Sequence, residues 1–223
     1  MSKLPKVVLY GGSFDPVHLG HEHIVRTVNQ QLTPQKIHII PCHVPPHKAR
    51  LHVENHHRLA MLRRAFDEGS TNLFVDTREM ACQSVSYTVD TVTALRRELG
   101  EAVSISFVVG EDSWLNFSRW HRWQDILNKV NLVVVTRLGV WQTKTDSEDH
   151  KELQAYRAEH EVPLGVLDTY THGQVAQLAM SPIDIASNTI RDCIAKGQSI
   201  DNMVSPPVAS YIQEYGLYQK AVT

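Results

Sequence analysis

The segment Gly11-Gly12-Ser13-Phe14-Asp15-Pro16-Val17-His18-Leu19-Gly20-His21 holds the residues of this chain best suited to chemistry. Glycine removes the side chain where backbone must approach a ligand or take a positive φ. His18 and His21 are spaced to share one side of a first helical turn, where both can face the same anion. The apolar run Val7–Tyr10 precedes the segment, and Ile24, Val25, Val28 and Leu32 follow it at helical spacing. Strand, glycine turn and helix start, in that order, build a phosphate cradle. The expected chemistry is therefore on nucleotide phosphates, with charged or hydrogen-bond-donating imidazoles aimed at phosphate oxygens. Two other readings stand beside it. A lone Gly-Gly can be just a tight turn. His18 and His21, with His23 nearby, could hold a metal, but the i,i+4 histidines and carboxylate of a metal-binding helix are missing. The loop matches neither a P-loop nor the dinucleotide GxGxxG pattern.

A second constellation lies far along the chain, at Ile185-Ala186-Ser187-Asn188-Thr189-Ile190-Arg191. Ser187 reads as a helix N-cap. Arg191, four residues on, projects from the same face of the first turn. A hydroxyl, free amides and a guanidinium at a helix start make a second anion site. Capped helices are common, so alone this signal is weak.

The elements that must position these groups follow from periodicity. Extended runs are expected at Val7–Tyr10, Lys36–Ile40, Leu73–Asp76, Ser104–Val109 and Leu132–Thr136, with a weaker strand at Leu164–Asp168. Helical spacing marks Gly20–Leu32, Glu54–Phe66, Thr88–Leu99, Ser187–Ala195 and Pro207–Tyr215. Alternation of this kind predicts an α/β fold: a Rossmann-like, doubly wound, mainly parallel sheet with helices on both faces and C-terminal helices, in a single domain over 1–223. Ligands of such sheets bind beyond the carboxyl ends of the strands. The loops Gly11–Leu19, Pro41–Val53 and Gly110–Ser113 leave those ends. Gly139–Pro163 is polar and charged and reads as a surface excursion with an exposed helix.

Composition narrows the class. The chain has 223 residues, a formal net charge of −2, 42% hydrophobic and 21% charged residues. That balance gives no reason to expect nucleic acid or an anionic membrane as partner. Cys42, Cys82 and Cys193 are odd in number and far apart, which argues against a disulfide framework and fits a reducing compartment. No apolar run has signal-peptide or membrane-span character, so a cytoplasmic protein is expected.

Gly11–His21 resembles the (G)GxFDPxHxGH signature of the HxGH nucleotidyltransferase superfamily, and Ser187–Arg191 occupies the place of its C-terminal ISSTxIR motif. Val44-Pro45-Pro46-His47-Lys48, Ser86-Tyr87-Thr88, Gly110-Glu111-Asp112-Ser113, Trp120 and the ending Tyr211-Ile212 to Gly216-Leu217-Tyr218 resemble bacterial nicotinate-nucleotide adenylyltransferases. The likeness spans nearly the whole chain apart from Gly139–Pro163. Ala186 and Asn188 depart from the usual serine and threonine of the C-terminal motif, and Cys82 and Val85 replace a frequent arginine and proline.

The resemblance implies transfer of AMP from ATP to the phosphate of nicotinate mononucleotide, giving deamido-NAD and pyrophosphate in NAD biosynthesis. The acceptor phosphate is already a nucleophile, so positioning and charge stabilisation suffice. It also implies roles. His18 and His21 would act on the ATP phosphates at the transition state. Ser187 and Arg191 would hold the β- and γ-phosphates. Gly11, Gly12, Ser13, Phe14, Gly20, Gly110 and Asp112 would border ATP. Lys48 would meet the reacting phosphates, Trp120 would stack on the pyridine ring, and Ser86, Tyr87 and Thr88 would receive its carboxylate. Mg2+ would be bound through the ATP phosphates with mostly water ligands. A zinc site from His52 with His56 or His57 lacks accompanying cysteines or supporting partners. The alternatives are transfer to nicotinamide mononucleotide or phosphopantetheine, or a nucleotide-binding regulator without turnover. A homo-oligomer is left open.

Overall fold

The computed structural model describes residues 3–43, 51–66, 71–82, 85–137, 148–181 and 183–219, the side chains of 137 and 148–150 excepted. In chain order its elements are β1 (Lys6–Gly12), α1 (Leu19–Leu32), β2 (Lys36–Pro41), α2 (Asn55–Phe66), β3 (Leu73–Val75), α3 (Thr88–Leu99), β4 (Ser104–Gly110), α4 (Glu111–Trp114), a 3-10 turn (Phe117–Arg119), α5 (Trp123–Leu127), β5 (Asn131–Arg137), α6 (Glu148–His160), a second 3-10 segment (Leu164–Thr169), β6 (Val175–Met180), α7 (Ser187–Ala195) and α8 (Pro206–Glu214). The strands form one sheet in the order β3-β2-β1-β4-β5-β6, and every pairing is parallel. The order reverses between β1 and β4, which places the switch-point crevice where β1 ends in its glycines.

Strand side chains alternate between the faces, as a pleated strand requires. Val8, Tyr10, Ile37, Ile39, Val108 and Val133 pack with Val25 and Val28 of α1, Met61 and Leu62 of α2, Ile190 of α7 and Val208 of α8. Val7, Leu9, Ile40, Ile105, Phe107 and Val134 point the other way, against Val89, Val92 and Leu95 of α3, and against Trp114, Phe117 and Leu153. Both faces are covered, so the expected doubly wound architecture holds.

Two expectations need correction. Leu164–Asp168 is not a strand. Leu164–Thr169 winds as a 3-10 segment with Leu167 buried and Val166 exposed, because a three-residue turn puts Leu164 and Leu167 on one side. The edge strand is instead Val175–Met180, whose alanines and Gln177 give little β signal. Of the expected surface excursion at 139–163, residues 139–147 lie outside the described residues, and the described part is not all at the surface, since Leu153 of α6 is fully buried. Tyr156 packs on Trp123 and donates its hydroxyl to Gly173 O at 2.7 Å.

At the amino ends of the strands, Arg96 of α3 is 2% exposed and donates to the carbonyls of Lys129, Gly100, Val103 and Thr171. Five fixed donors on one planar group suit such a junction of chain turns.

Candidate active site

The glycine loop is held by what its glycines let approach. A Cβ on Gly12 would lie 3.0 Å from the Phe14 ring, which is fully buried with φ of 46°. A bulky residue in the left-handed region is uncommon and needs its surroundings to hold it there. Tyr10 supplies part of that hold, meeting the Phe14 ring edge-on at 5.7 Å.

Asp15, 2% exposed, ties the loop to distant segments. Its Oδ2 accepts from the backbone amide of His52 at 2.8 Å and lies 3.0 Å from His52 Nδ1, and its Oδ1 accepts from the Tyr218 hydroxyl at 2.9 Å. Beneath lies Arg58 of α2, with no exposed surface. It donates to Ser13 O at 2.7 Å, Cys42 O at 2.6 Å and Asn55 Oδ1 at 2.6 Å. Burial lowers the Arg58 pKa, while Cys42, Asp15 and Tyr218 push it back up. An arginine keeps its charge under such a shift. The guanidinium thus clamps the carboxyl ends of β1 and β2 together.

His18 is the N-cap of α1, with extended φ and ψ of −151° and 170°. Its amide donates to His21 Nδ1 at 3.2 Å, which leaves the His21 ring proton to Nε2 in the neutral tautomer. The two rings lie 3.7 Å apart, and Phe14 meets His21 edge-on at 4.9 Å. A Cβ on Gly20 would sit 3.0 Å from His18 Cε1 and Nδ1, so the glycine between the histidines is the space into which the first ring folds. His18 is 7% exposed, its Nδ1 is buried without a hydrogen-bond partner, and burial pulls its pKa down to about 4. At neutral pH the unliganded His18 is therefore an uncharged donor, which narrows the expectation of charged or donating imidazoles.

The second motif docks on the first across most of the chain. Ser187 donates from its hydroxyl to Pro16 O at 3.0 Å, and Arg191 donates to Asp15 O at 2.5 Å. Arg191 also donates to Asn188 Oδ1, so the unusual Asn188 is spent on orienting the guanidinium. The N-cap is Ala186 and not Ser187, whose hydroxyl is turned away from the helix amides toward the Pro16 carbonyl.

Two cavities open at the carboxyl ends of the strands. One, of about 500 Å³, is lined by His18, Gly20, His21, Gly110 and Asp112, with Thr136 and Ile185 opposite. The other, of about 890 Å³, is lined by Gly11, Gly12, Ser13, Ser86, Tyr87, Thr88 and Trp120, and Asp112 and Ser113 belong to both. Gly110 is the N-cap of α4, so Asp112 does not cap that helix. Phe14, Ser187 and Arg191 line neither cavity; Phe14 is buried in the loop itself, and Ser187 and Arg191 hold the loop's carbonyls from α7. Lys48, with Pro45, Pro46 and His47, lies outside the described residues.

The larger cavity has an aromatic wall. Trp120 packs on Phe107 and Phe117 at ring distances of 6.1 and 5.0 Å, while Trp114 and Phe117 are wholly in the core. Tyr87 is the N-cap of α3 and lies against His121 at 4.5 Å, so the helix's first-turn amides open beside Ser86 and Thr88. Sequence reasoning missed Glu79 in this wall. Its carboxylate accepts from Ser86 Oγ at 3.0 Å and Thr91 Oγ1 at 2.6 Å. It also missed Arg58 and the Tyr218 anchor, since no local spacing announces contacts made across α2 and the chain's far end.

Among the described residues no three His, Cys, Asp or Glu side chains gather as a metal site. His52 and His56 are instead taken up by Asp15 and Glu54. No helix among the described residues is long and apolar enough to cross a membrane.

Residues 9–176 match the family model described as cytidylyltransferase-like. The chain is 36% identical to a Cellvibrio japonicus protein named "Probable nicotinate-nucleotide adenylyltransferase", over 96% of this chain and 99% of that protein. A Yersinia enterocolitica protein of the same name is 37% identical over 95% and 94%. Among solved structures, Plasmodium falciparum nicotinic acid mononucleotide adenylyltransferase complexed with NaAD superposes with a TM-score of 0.72 at 18% identity, covering 96% of this chain and 97% of that one. At that identity the superposition speaks for the fold alone.

Proposed function

We propose, for a chain that belongs to the cytidylyltransferase-like family and within it to the nicotinate-nucleotide adenylyltransferases, the transfer of AMP from ATP to nicotinate mononucleotide with release of pyrophosphate. One observation supports this reading most: two cavities of nucleotide size meet at Asp112 and Ser113, one carrying paired histidines and the other an aromatic wall and a helix start.

In this reading a phosphate oxygen of the acceptor attacks the α-phosphorus, and the bond from that phosphorus to the β-bridging oxygen breaks. No protein nucleophile is needed, so the chain's task is alignment and charge stabilisation. His18 and His21 donate to oxygens on which charge grows. The approach of a polyanion reverses the effect of burial on His18 and draws a proton onto it. Gly20 and Gly110 keep the backbone close to ATP in the histidine cavity, and Gly11, Gly12 and Ser13 border ATP from the side of the larger cavity, with Phe14 packed beneath the loop. Ser187 and Arg191 fix the loop carbonyls. The donors of Arg191 not bound to Asp15 and Asn188 are assigned to the leaving phosphates on the motif alone. Trp120 stacks on the cationic pyridine ring, and Ser86, Tyr87 and Thr88 receive its carboxylate at the α3 amides. Lys48 is assigned to the reacting phosphates on the motif alone.

A Mg2+ ion fits the donor set only as a partner of ATP. Asp112 is the carboxylate placed where the cavities join, and a lone carboxylate with phosphates and waters is what this ion accepts. Bound there, it would neutralise phosphate charge.

The test is pyrophosphate release by purified protein with ATP, Mg2+ and each acceptor in turn. Release with nicotinate mononucleotide is expected. Release with phosphopantetheine and none with nicotinate mononucleotide overturns the reading.

A further inference from the structure

Glu79 is a carboxylic acid in the wall of a cavity whose proposed ligand is itself a carboxylate. It follows β3 and lines the larger cavity together with Ser86, Tyr87, Thr88, Thr91 and Trp120. Both its oxygens are engaged, Oε2 by the Ser86 hydroxyl and Oε1 by that of Thr91. These contacts fasten the segment before α3 to the second turn of that helix. A ligand carboxylate on the first-turn amides of α3 would therefore lie next to Glu79. Two like charges side by side at a half-buried site cannot both remain ionised cheaply.

The other charges near Glu79 leave the conflict in place. Asp76 is a further negative charge, and Arg78 is already shared between Asp76 and Glu98. Ser86 and Thr91 from the α3 side bring only hydroxyls. Asp112, Arg119 and His121 line the same cavity from the β4 side. Burial raises the Glu79 pKa and Asp76 adds to the rise, while the Thr91 and Ser86 hydroxyls and the Arg78 charge pull it only part of the way back. A protonated Glu79 keeps both contacts, because a hydroxyl can turn from donating to accepting.

We propose that Glu79 is a specificity-determining residue whose carboxyl group is uncharged when the acidic acceptor is bound, so that binding the acid takes up one proton that an uncharged amide acceptor does not require. The inference rests on the proposed function. It makes the cavity choose the acid form only by way of Glu79's proton, with the ligand carboxylate supplying the charge that Glu79 gives up.

The experiment compares the KM for nicotinate mononucleotide in wild type and Glu79→Gln from pH 6.5 to 8.5, at saturating ATP and Mg2+. Glutamine holds the same shape and cannot ionise. The acceptor phosphate titrates identically for both proteins and cancels in the ratio. The wild-type-to-variant KM ratio is expected to climb by more than about tenfold, and by up to about a hundredfold, over those two pH units, since one linked proton gives up to about tenfold per unit. The trend should sit in KM and not in kcat. A flat ratio overturns the proposal. If Glu79→Gln does not fold, calorimetry on the wild type answers the same question. Proton uptake on binding at pH 8, measured in two buffers of different ionisation enthalpy, should be greater for nicotinate mononucleotide than for nicotinamide mononucleotide. The acceptor phosphate, with its second pKa near 6, is ionised in both, and any proton it draws onto His18 cancels in the difference. Equal uptake overturns the proposal. Turnover of nicotinate mononucleotide with neither effect defeats this inference and leaves the proposed function standing. Turnover of phosphopantetheine alone defeats both.

Discussion

The two cavities share Asp112 and Ser113 but are built on opposite plans. The histidine cavity carries its imidazoles on one short stretch of chain, where Gly20 gives up space to the His18 ring, and the carboxyl ends of β4, β5 and β6 close it. The acceptor cavity is assembled from the ends of β1 and β2, the segment before α3 and the turns after β4, and side-chain hydrogen bonds hold it. A site made by local packing is sensitive to a single atom. A site made by long-range bonds is sensitive to the loss of any one strut.

The largest expected effect tests the local plan. His18→Ala should lower kcat by roughly 10²–10³, the scale for losing one transition-state donor, with KM for ATP little changed. Steady-state kinetics with pyrophosphate detection checks it. A raised KM with unchanged kcat would make His18 a ground-state binder and remove the contrast between the cavities.

The second prediction concerns what the histidine cavity costs the fold. Burial holds the His18 pKa at about 4, below the ordinary histidine value of about 6.5. Between those values the unfolded chain binds a proton that the folded chain refuses. The contribution is therefore complete above about pH 6.5 and is lost as pH falls toward 4, a loss of about 3 kcal/mol. His57 and His172 are lowered in the same direction, also by burial first. Urea denaturation of wild type and His18→Asn across pH 4–7 isolates the His18 share, and the variant should show the shallower fall.

Arg58→Met tests the struts. Removing the guanidinium leaves the Ser13 and Cys42 carbonyls buried without it, which should lower stability by roughly 2–3 kcal/mol. Thermal unfolding with and without ATP would show it. A loss confined to nicotinate mononucleotide affinity, with the melting temperature unchanged, would mean that Arg58 acts as a charge and not as a clamp.

The smallest effect belongs to the aromatic wall. Trp120→Ala should raise KM for nicotinate mononucleotide by roughly tenfold, about 1.4 kcal/mol, and leave KM for ATP near its original value. Equal changes in both would show that the wall supports both cavities.

How much the sequence reveals follows the same division. Thr88–Leu99 and Ser187–Ala195 are read to the residue, because apolar spacing on an amphipathic helix is a local property. Gly11–His21 is legible for the same reason. Val175–Met180 is not, since its burial on both faces comes from β5 and the helices and not from its own composition. Glu79 and Arg58 carry no local mark. Their roles are set by partners brought close only by folding, such as the carbonyl of Ser13 for Arg58, 45 residues away in sequence. Asn188 reads as a departure from a motif, and only its contact with Arg191 gives it a purpose.

The anchoring of Asp15 by Tyr218, and of Pro16 by Ser187, bears on how the protein is made. The loop that begins the chain has its final contacts 171 and 203 residues downstream. A ribosome adding about 5–20 residues per second needs roughly 10–40 s to travel that distance. For that interval the nascent loop exists without the bonds that set its shape, and no partial chain lacking Met180, Ser181 and Ile185 can complete the histidine cavity. The order of synthesis thus acts as a delay on activity, with the earliest residues the last to become competent.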